Sequence, residues 1–295
     1  MDHQTFDVHT AEGHVLKIGE CAGACSGPSV LIVPGLYSHM GWYRPLGDAL
    51  AARGFSAYLL DRRGSGISEG LAGHMDSWRH LADDIVRVVA RIRELRPGAG
   101  VCALGVSLGA AMTLATSLLH PDCFQRQAAL SPGLAPGLQL PLVRRIGLAY
   151  SGFARPRYLY ELPFTMEQLS DREELRQALW NDPLRTRAVT SRFLVEVFRM
   201  QRFVRRGIAR LKSPLLALVA GEDSMIDNER VLAILSRAER APVRVEIFEG
   251  AHHVLPASVP LEDLVERIAS WFTAAESALD RRVVIHRIPR QACPA

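Results

Sequence analysis

Concentrated positive charge is absent from this chain. Lys17 and Lys212 are its only lysines, the arginines form no run longer than a doublet, and the formal net charge is +4 over 295 residues. Acidic residues separate the doublets, whereas a nucleic-acid-binding surface requires a dense basic stripe. We therefore expect no nucleic-acid partner.

Paired cysteines are also lacking. The cysteines are odd in number and form no CxxC pair: Cys21, Cys25, Cys102, Cys123 and Cys293. This pattern predicts neither a disulfide framework nor a zinc site, and no cluster of histidines and carboxylates has metal-ligand spacing. The opening residues, MDHQTFDVHTAEGHVLK, contain no apolar stretch of the signal-peptide kind. We expect a cytoplasmic protein that needs no metal and no cofactor.

One uncharged run, residues 97–119, is long enough to span a bilayer. Glycines and Ser107 interrupt it, however, and divide it into a strand, a tight turn and a helix. Together with the 48% of hydrophobic residues, this favours the buried centre of a large globular core.

Short apolar runs alternate with longer segments of helical periodicity, which predicts an α/β fold with a mostly parallel sheet flanked by helices. The clearest helices are residues 78–95 and 261–272. The predicted strands are residues 15–18, 30–33, 57–60, 101–104, 127–130, 215–220 and 243–248.

The alternation stops in the middle of the chain, where the sequence becomes helical, proline-punctuated and aromatic. We interpret residues 132–211 as a helical cap inserted into a core made of residues 1–131 and 212–279. Residues 280–295 contain one short apolar run, Val283 to Ile285, which fits either a docked strand or a loose tail. Residues 140–164 mix aromatics with arginines, which fits either peripheral contact with anionic lipid or an ordinary solvated cap.

The strongest chemical signal is GVSLG at residues 105–109, between an apolar strand and an apolar helix. A serine on a sharp strand-to-helix turn needs small neighbours, because the backbone leaves no room for Cβ atoms. Ser107 is therefore a candidate nucleophile. The amide of Leu108, at the positive end of the following helix, is a candidate oxyanion donor.

A serine hydroxyl requires a base and an orienting carboxylate. Candidates follow two later strands: Asp223, with Glu222 and Asp227 as alternatives, and His253, with His252 as an alternative. The carboxyl ends of parallel strands meet at one edge of a sheet, so Ser107, Asp223 and His253 are expected to lie together.

A second oxyanion donor is expected from the loop that follows an earlier strand. The segment Val33-Pro34-Gly35-Leu36 provides that loop. Gly35 permits close backbone approach and Leu36 offers an amide, whereas Pro34 has no N–H to donate.

These motifs resemble the α/β-hydrolase superfamily, and within it the branch of monoacylglycerol lipases and lysophospholipases. The likeness extends over residues 5–272. Residues 35–43 (GLYSHMGWY) are similar to that branch's HGxxEHxxRY loop, and residues 61–68 (DRRGSGIS) to its DxRGxGxS segment. Further matches are residues 73–78 (GHMDSW) with Asp84, 182–184 (DPL), 221–223 (GED) and 250–253 (GAHH).

The resemblance implies the α/β-hydrolase fold and triad roles for Asp223 and His253. It also places Gly35, Tyr37, His39 and Val106 near a substrate pocket, although His39 fits equally well as a structural residue packed on Tyr43. Departures from the family pattern are Pro34, Val106, Leu108 and Ala110, which stand where the family has histidine, histidine, methionine and glycine. They remove no catalytic atom, but the identity of the alcohol part of the substrate is not predicted.

The expected function is a serine hydrolase that cleaves monoacylglycerol-like, lysophospholipid-like or other lipophilic esters through an acyl-enzyme. A thioesterase, an acyltransferase and a carbon–carbon bond hydrolase would use the same triad and remain alternatives. A hydrolase-fold protein that only binds ligand, without turnover, is a further alternative.

Overall fold

Short apolar strands form a nine-stranded sheet at the centre of the molecule. The computed structural model describes residues 4–23, 27–137, 141–162, 165–168, 173–279 and 282–289. Cys25, Cys293, Leu140 and Phe164, which belong to the sequence predictions, lie outside the described residues.

In chain order the strands are β1 (Thr5–His9), β2 (Val15–Cys21), β3 (Ser29–Val33), β4 (Ser56–Leu60), β5 (Val101–Val106), β6 (Gln127–Leu130), β7 (Leu159–Glu161), β8 (Ala188–Thr190), β9 (Leu215–Ala220), β10 (Val243–Phe248) and β11 (Val283–Ile288).

The central sheet has the order β1-β2-β4-β3-β5-β6-β9-β10-β11. Strand β2 pairs antiparallel with both β1 and β4, and the remaining pairs are parallel. The seven predicted strands are all present, three of them with the predicted ends: β6, β9 and β10. The chain is an α/β fold with a mostly parallel sheet.

Helices cover both faces of the sheet. They are α1 (Arg44–Ala51), α2 (Trp78–Leu95), α3 (Leu108–Leu119), α4 (Leu142–Ala154), α5 (Glu173–Asn181), α6 (Ser191–Gly207), α7 (Asn228–Leu235), α8 (Leu255–Ser258) and α9 (Leu261–Thr273). Side chains of β3 alternate between the faces: Leu31 belongs to the apolar cluster that includes residues of α2, α3 and α7, whereas Ile32 belongs to the cluster that includes residues of α1 and α9. Burial on both faces explains why the parallel strands are apolar throughout.

The uncharged run at residues 97–119 is β5, a sharp turn and α3. Within the described parts of the chain, no helix combines the length and apolar character needed to cross a membrane.

Between β6 and β9 the chain leaves the sheet and forms α4, α5 and α6. The interpretation of this segment as a helical cap is incomplete, since β7 and β8 pair antiparallel there as a separate two-stranded sheet. Three-residue strands are too short to give a clear alternation in sequence. Helix α6 packs against both α3 and α4, so it connects the inserted segment to the core.

The two ends of the sheet were not predicted with certainty. Strand β1, which alternates exposed and buried residues, was missed. The apolar run that begins at Val283 is a docked strand, because β11 pairs in parallel register with β10 from Val243 to Phe248. The helices 78–95 and 261–272 are α2 and α9, the latter one residue longer than predicted.

Candidate active site

Ser107 lies on the turn between β5 and α3, with φ 51° and ψ −116°. Small neighbours are required here for steric reasons. A Cβ on Gly105 would stand 2.5 Å from the Cα of Ala110, and a Cβ on Gly109 would stand 2.0 Å from the carbonyl oxygen of Val33. The strained turn raises the Ser107 side chain above the carboxyl edge of the sheet.

His253 follows β10 and contacts Ser107, from which it is separated by 146 residues in sequence. Its Nε2 lies 2.9 Å from Ser107 Oγ, and its Nδ1 lies 2.7 Å from Asp223 Oδ2. The three side chains form one hydrogen-bonded row at the ends of β5, β9 and β10. Such a row can transfer the hydroxyl proton to the imidazole and stabilise the imidazolium that results.

Asp223 is held in place through its second oxygen. The backbone amides of Met225 and Ile226 donate to Oδ1 at 2.9 and 3.0 Å, and the side chain is fully buried. The alternatives do not occupy this place: Glu222 is exposed, and Asp227 accepts from the amide of Arg230 as the N-cap of α7.

The neighbouring His252 is half-buried and its backbone amide donates to Ser258 Oγ. His253 rather than His252 therefore meets both the hydroxyl and the carboxylate.

Ser131 supports the histidine and was missed in the sequence. Its Oγ donates to the carbonyl oxygen of His253 at 2.7 Å, and it has φ 43°. A serine directly after β6, at the same edge as the other candidates, is a signal that sequence reasoning could have used.

The residues 34–39, which we call the β3 loop, approach the serine closely. A Cβ on Gly35 would lie 3.2 Å from the Cβ of Ser107. Within the described residues, no protein acceptor is recorded for the backbone N–H of Leu36 or of Leu108. Both residues line the space in front of Ser107, which is where a developing negatively charged oxygen requires donors.

That space is an apolar cavity of about 290 Å³. Its walls come from the β3 loop, the Ser107 turn, the loops after β6, β9 and β10, and the cap helices α4 and α6. The lining residues are Gly35, Leu36, Tyr37, Ser38, Trp42, Tyr43, Val106, Ser107, Leu108, Gly133, Pro136, Leu148, Leu162, Leu194, Val197, Phe198, Gln201, Met225, Ile226, His253 and Val254.

Of the four predicted pocket residues, Gly35, Tyr37 and Val106 line the cavity and His39 does not. The His39 imidazole is turned to the cap, where its Nε2 lies 2.8 Å from Asp182 Oδ2, and it packs edge-on against Trp42. The Tyr43 hydroxyl forms a hydrogen bond of 3.0 Å with Ser38 Oγ.

Two cap residues of the site were not predicted as such. Asp182 accepts from Trp42 Nε1 at 2.8 Å as well as contacting His39, which fastens the cap to the loop after β3. Gln201 lines the cavity, and its Nε2 donates to the carbonyl oxygen of Gly133 at 2.8 Å. Gly133 in turn donates its N–H to the carbonyl oxygen of Ser107 at 2.9 Å.

The parallel sheet, the strained serine turn and the hydroxyl–imidazole–carboxylate row at the ends of its strands define an α/β-hydrolase. Among the described residues, no group of three or more His, Cys, Asp or Glu is arranged to hold a metal ion.

Comparison with known proteins identifies the family. The family model described as "Serine aminopeptidase, S33" matches residues 26–257, and the chain belongs to this family. Monoglyceride lipase of Homo sapiens is 25% identical over 234 residues, which cover 78% of this chain and 77% of that protein. Phospholipase YtpA of Bacillus subtilis is 24% identical over 250 residues, which cover 83% and 94% of the two chains.

A solved structure shows the same fold. The monoacylglycerol lipase of Paleococcus ferrophilus has a TM-score of 0.75 at 22% identity, covering 92% of this chain and 98% of its own. The chain is accordingly a lipase- or esterase-like hydrolase of the monoacylglycerol lipase and lysophospholipase branch.

Proposed function

We propose that this enzyme hydrolyses uncharged carboxylic esters with lipophilic acyl groups through a Ser107 acyl-enzyme. The observation that carries the proposal is the Ser107–His253–Asp223 row at the wall of an apolar cavity.

In the proposed mechanism, Ser107 Oγ attacks the ester carbonyl carbon while His253 Nε2 accepts the hydroxyl proton. Asp223 holds the imidazole and stabilises its charged form. The carbonyl oxygen becomes negatively charged and accepts hydrogen bonds from the amides of Leu36 and Leu108, each contributing about 3 kcal/mol in related enzymes. His253 then protonates the leaving alcohol, and water, activated in the same way, releases the acid.

The cavity lining supports an uncharged ester. Among the described residues its lining includes no aspartate, glutamate, lysine or arginine, so a phosphate or an ammonium group would lose hydration without gaining an oppositely charged partner. The names of two relatives, Monoglyceride lipase and Phospholipase YtpA, support a lipid ester. Because a phospholipid carries a charged headgroup, the apolar lining favours a monoacylglycerol over a phospholipid as the substrate. An aminopeptidase would need a carboxylate for the substrate's amino terminus.

The cap also supports the proposal that the enzyme contacts lipid surfaces. Helix α4 exposes Tyr150 by 72% and Phe153 by 85%, next to exposed Arg155 and Arg157. We expect salt-sensitive co-sedimentation with vesicles containing an anionic lipid and weaker binding by Phe153→Ser. Equal recovery with neutral and anionic vesicles would contradict this contact.

The mechanism is tested by replacing Ser107. We expect Ser107→Ala to lower kcat on p-nitrophenyl butyrate by roughly 10⁴-fold or more and to abolish labelling by a fluorophosphonate. Ser236→Ala, which changes an exposed serine at the end of α7, is the matched control. Retention of activity by Ser107→Ala would exclude the acyl-enzyme.

The substrate class is tested with a panel in which the acyl chain is constant. Monoacylglycerols, lysophosphatidylcholine, acyl thioesters and aminoacyl amides are compared by kcat/KM. We expect the monoacylglycerol to be preferred. Preference for a thioester, or acyl transfer to an added alcohol in place of hydrolysis, would support the alternatives that share the triad.

A further inference from the structure

Arg62 is a buried cation directly behind the β3 loop. It is the second residue after β4, only 5% of its surface is exposed, and its Nη2 donates to the carbonyl oxygen of Leu36 at 2.9 Å. The amide of the same Leu36 is the proposed oxyanion donor. On its other side the guanidinium lies 5.8 Å from the centre of the Phe193 ring on α6.

The neighbouring Arg63 shows what a structural arginine looks like in this chain. Its Nε and Nη2 each donate to Asp84 at 2.6 Å, and Nη2 also donates to Glu12 at 2.8 Å. By contrast, Nε and Nη1 of Arg62 are buried without an acceptor among the described residues. A buried guanidinium with unused donors costs folding free energy, and an apolar residue of similar volume is often neutral or stabilising in such a place.

The Arg62 guanidinium nevertheless keeps its positive charge at neutral pH. Burial lowers the pKa of Arg62 to about 10, against the opposing effect of the nearby Asp61 carboxylate. A full positive charge therefore lies in a region of low dielectric beside the β3 loop, where it acts more strongly on a developing negative charge than it would in water.

We propose that Arg62 is a positioning residue for the oxyanion hole: it holds the Leu36 carbonyl so that the Leu36 amide stays directed at the reacting oxygen, and its charge favours the tetrahedral intermediate. This inference rests on the proposed function. The DxRGxGxS pattern leaves the Arg62 position open, so the pattern itself does not assign it.

Neighbouring contacts support this role. From the same segment after β4, Asp61 Oδ1 accepts from the amide of Met40 at 2.7 Å. Ser65 Oγ donates to the carbonyl oxygen of Ser38 at 3.4 Å. These two contacts hold Ser38 and Met40, at and just beyond the far end of the β3 loop, whereas the contact of Arg62 is made at Leu36 itself. Loss of Arg62 should therefore make the position of the Leu36 amide less fixed, while most of the β3 loop stays in place.

The experiment compares Arg62→Met and Arg62→Lys with the wild-type enzyme. We expect Arg62→Met to unfold at an equal or higher temperature, yet to lose roughly tenfold to a hundredfold in kcat with an unchanged KM, because one oxyanion donor is worth up to about a thousandfold. Arg62→Lys keeps the charge and an ammonium group that can donate to the Leu36 carbonyl, and should recover part of the loss. Arg79→Met, which removes another arginine stacked on rings near α6, should keep the wild-type kcat.

A second readout isolates the oxyanion. Affinity for a trifluoromethyl ketone, which forms a tetrahedral adduct with the serine, should fall with kcat, while affinity for the corresponding unreactive alcohol should not change. Equal losses for both ligands, a wild-type kcat in Arg62→Met, or failure of that variant to fold would each overturn the proposal. If Ser107→Ala also retained activity, the proposed function itself would be wrong, so the two failures are distinguishable.

Discussion

The core and the cap differ in how their helices are buried. In α3, which carries the serine turn, buried residues run from Leu108 to Ser117, whereas no described residue of α5 in the cap is buried. The core therefore fixes the atoms of the proposed triad among tightly packed neighbours. The cap instead contributes apolar side chains to one wall of the cavity and keeps much of its surface exposed. The proposed chemistry and the proposed acyl selection therefore depend on regions that differ in burial.

Polar contacts reinforce the packing of α6 on the core. Glu196 of α6, which is buried, accepts from the backbone amide of Trp78 at the start of α2 at 3.2 Å. Asp182 contacts His39 and Trp42, and Gln201 donates to Gly133. Asp182 thus reaches His39 in the β3 loop, and Gly133 in turn donates its N–H to the carbonyl oxygen of Ser107, so the cap is fastened next to the proposed chemistry.

The largest expected effect is in the core. Asp223→Asn should lower kcat by about 10⁴-fold, because an amide favours the wrong tautomer of His253. Glu222→Gln, the adjacent exposed carboxylate, is the matched control and should keep wild-type kcat. If Glu222→Gln gave the larger loss, the assignment of the acid would be wrong.

A pair of glycine substitutions compares packing in the two regions. Gly109→Ala should destabilise the enzyme by about 1–3 kcal/mol, because its Cβ would stand 2.0 Å from the carbonyl oxygen of Val33. Gly147→Ala in α4 meets nothing within 4 Å and should stabilise by up to about 1 kcal/mol through helix propensity. Urea unfolding measures both changes. Equal effects would mean that the cap is packed as tightly as the core.

Substrate selection by the cap is tested at Val197. Val197→Trp fills part of the cavity and should lower kcat/KM for long acyl esters by about tenfold, while p-nitrophenyl acetate is hydrolysed at nearly the wild-type rate. Arg202→Trp places the same residue at an exposed position of α6 and serves as the control. A uniform loss over all chain lengths would show that Val197 supports the catalytic geometry rather than the acyl pocket.

The smallest expected effect concerns the junction itself. Burial opposes ionisation of Asp182, but hydrogen bonds from His39 and Trp42 prevail and lower its pKa. Asp182→Asn weakens these bonds and should cost about 1 kcal/mol of stability and speed proteolysis of the cap. Asp122→Asn, at an exposed turn of the core, is the control. Unchanged proteolysis would indicate that the other contacts are sufficient.

Local signals predicted the fold well where both faces of a strand are buried. The runs at β6, β9 and β10 are apolar enough to give their own ends, and the GVSLG turn follows from its small residues. Strands β1, β7 and β8 were missed because they are exposed or three residues long. His39 was placed in the pocket by resemblance, but the position of Asp182 on the cap, which turns it away, depends on packing between distant segments.

By itself the sequence determined the strand–turn–helix that carries Ser107 and the order in which a carboxylate and a histidine follow later strands. Hydrophobic periodicity and turn chemistry act over a few residues, so the elements that they form can be recognised from the sequence alone. Tertiary structure decided which carboxylate meets His253, which side chains line the cavity, and that Arg62 reaches Leu36 rather than solvent. Those contacts join residues far apart in the chain, and only the order and register of the sheet bring them within hydrogen-bonding distance.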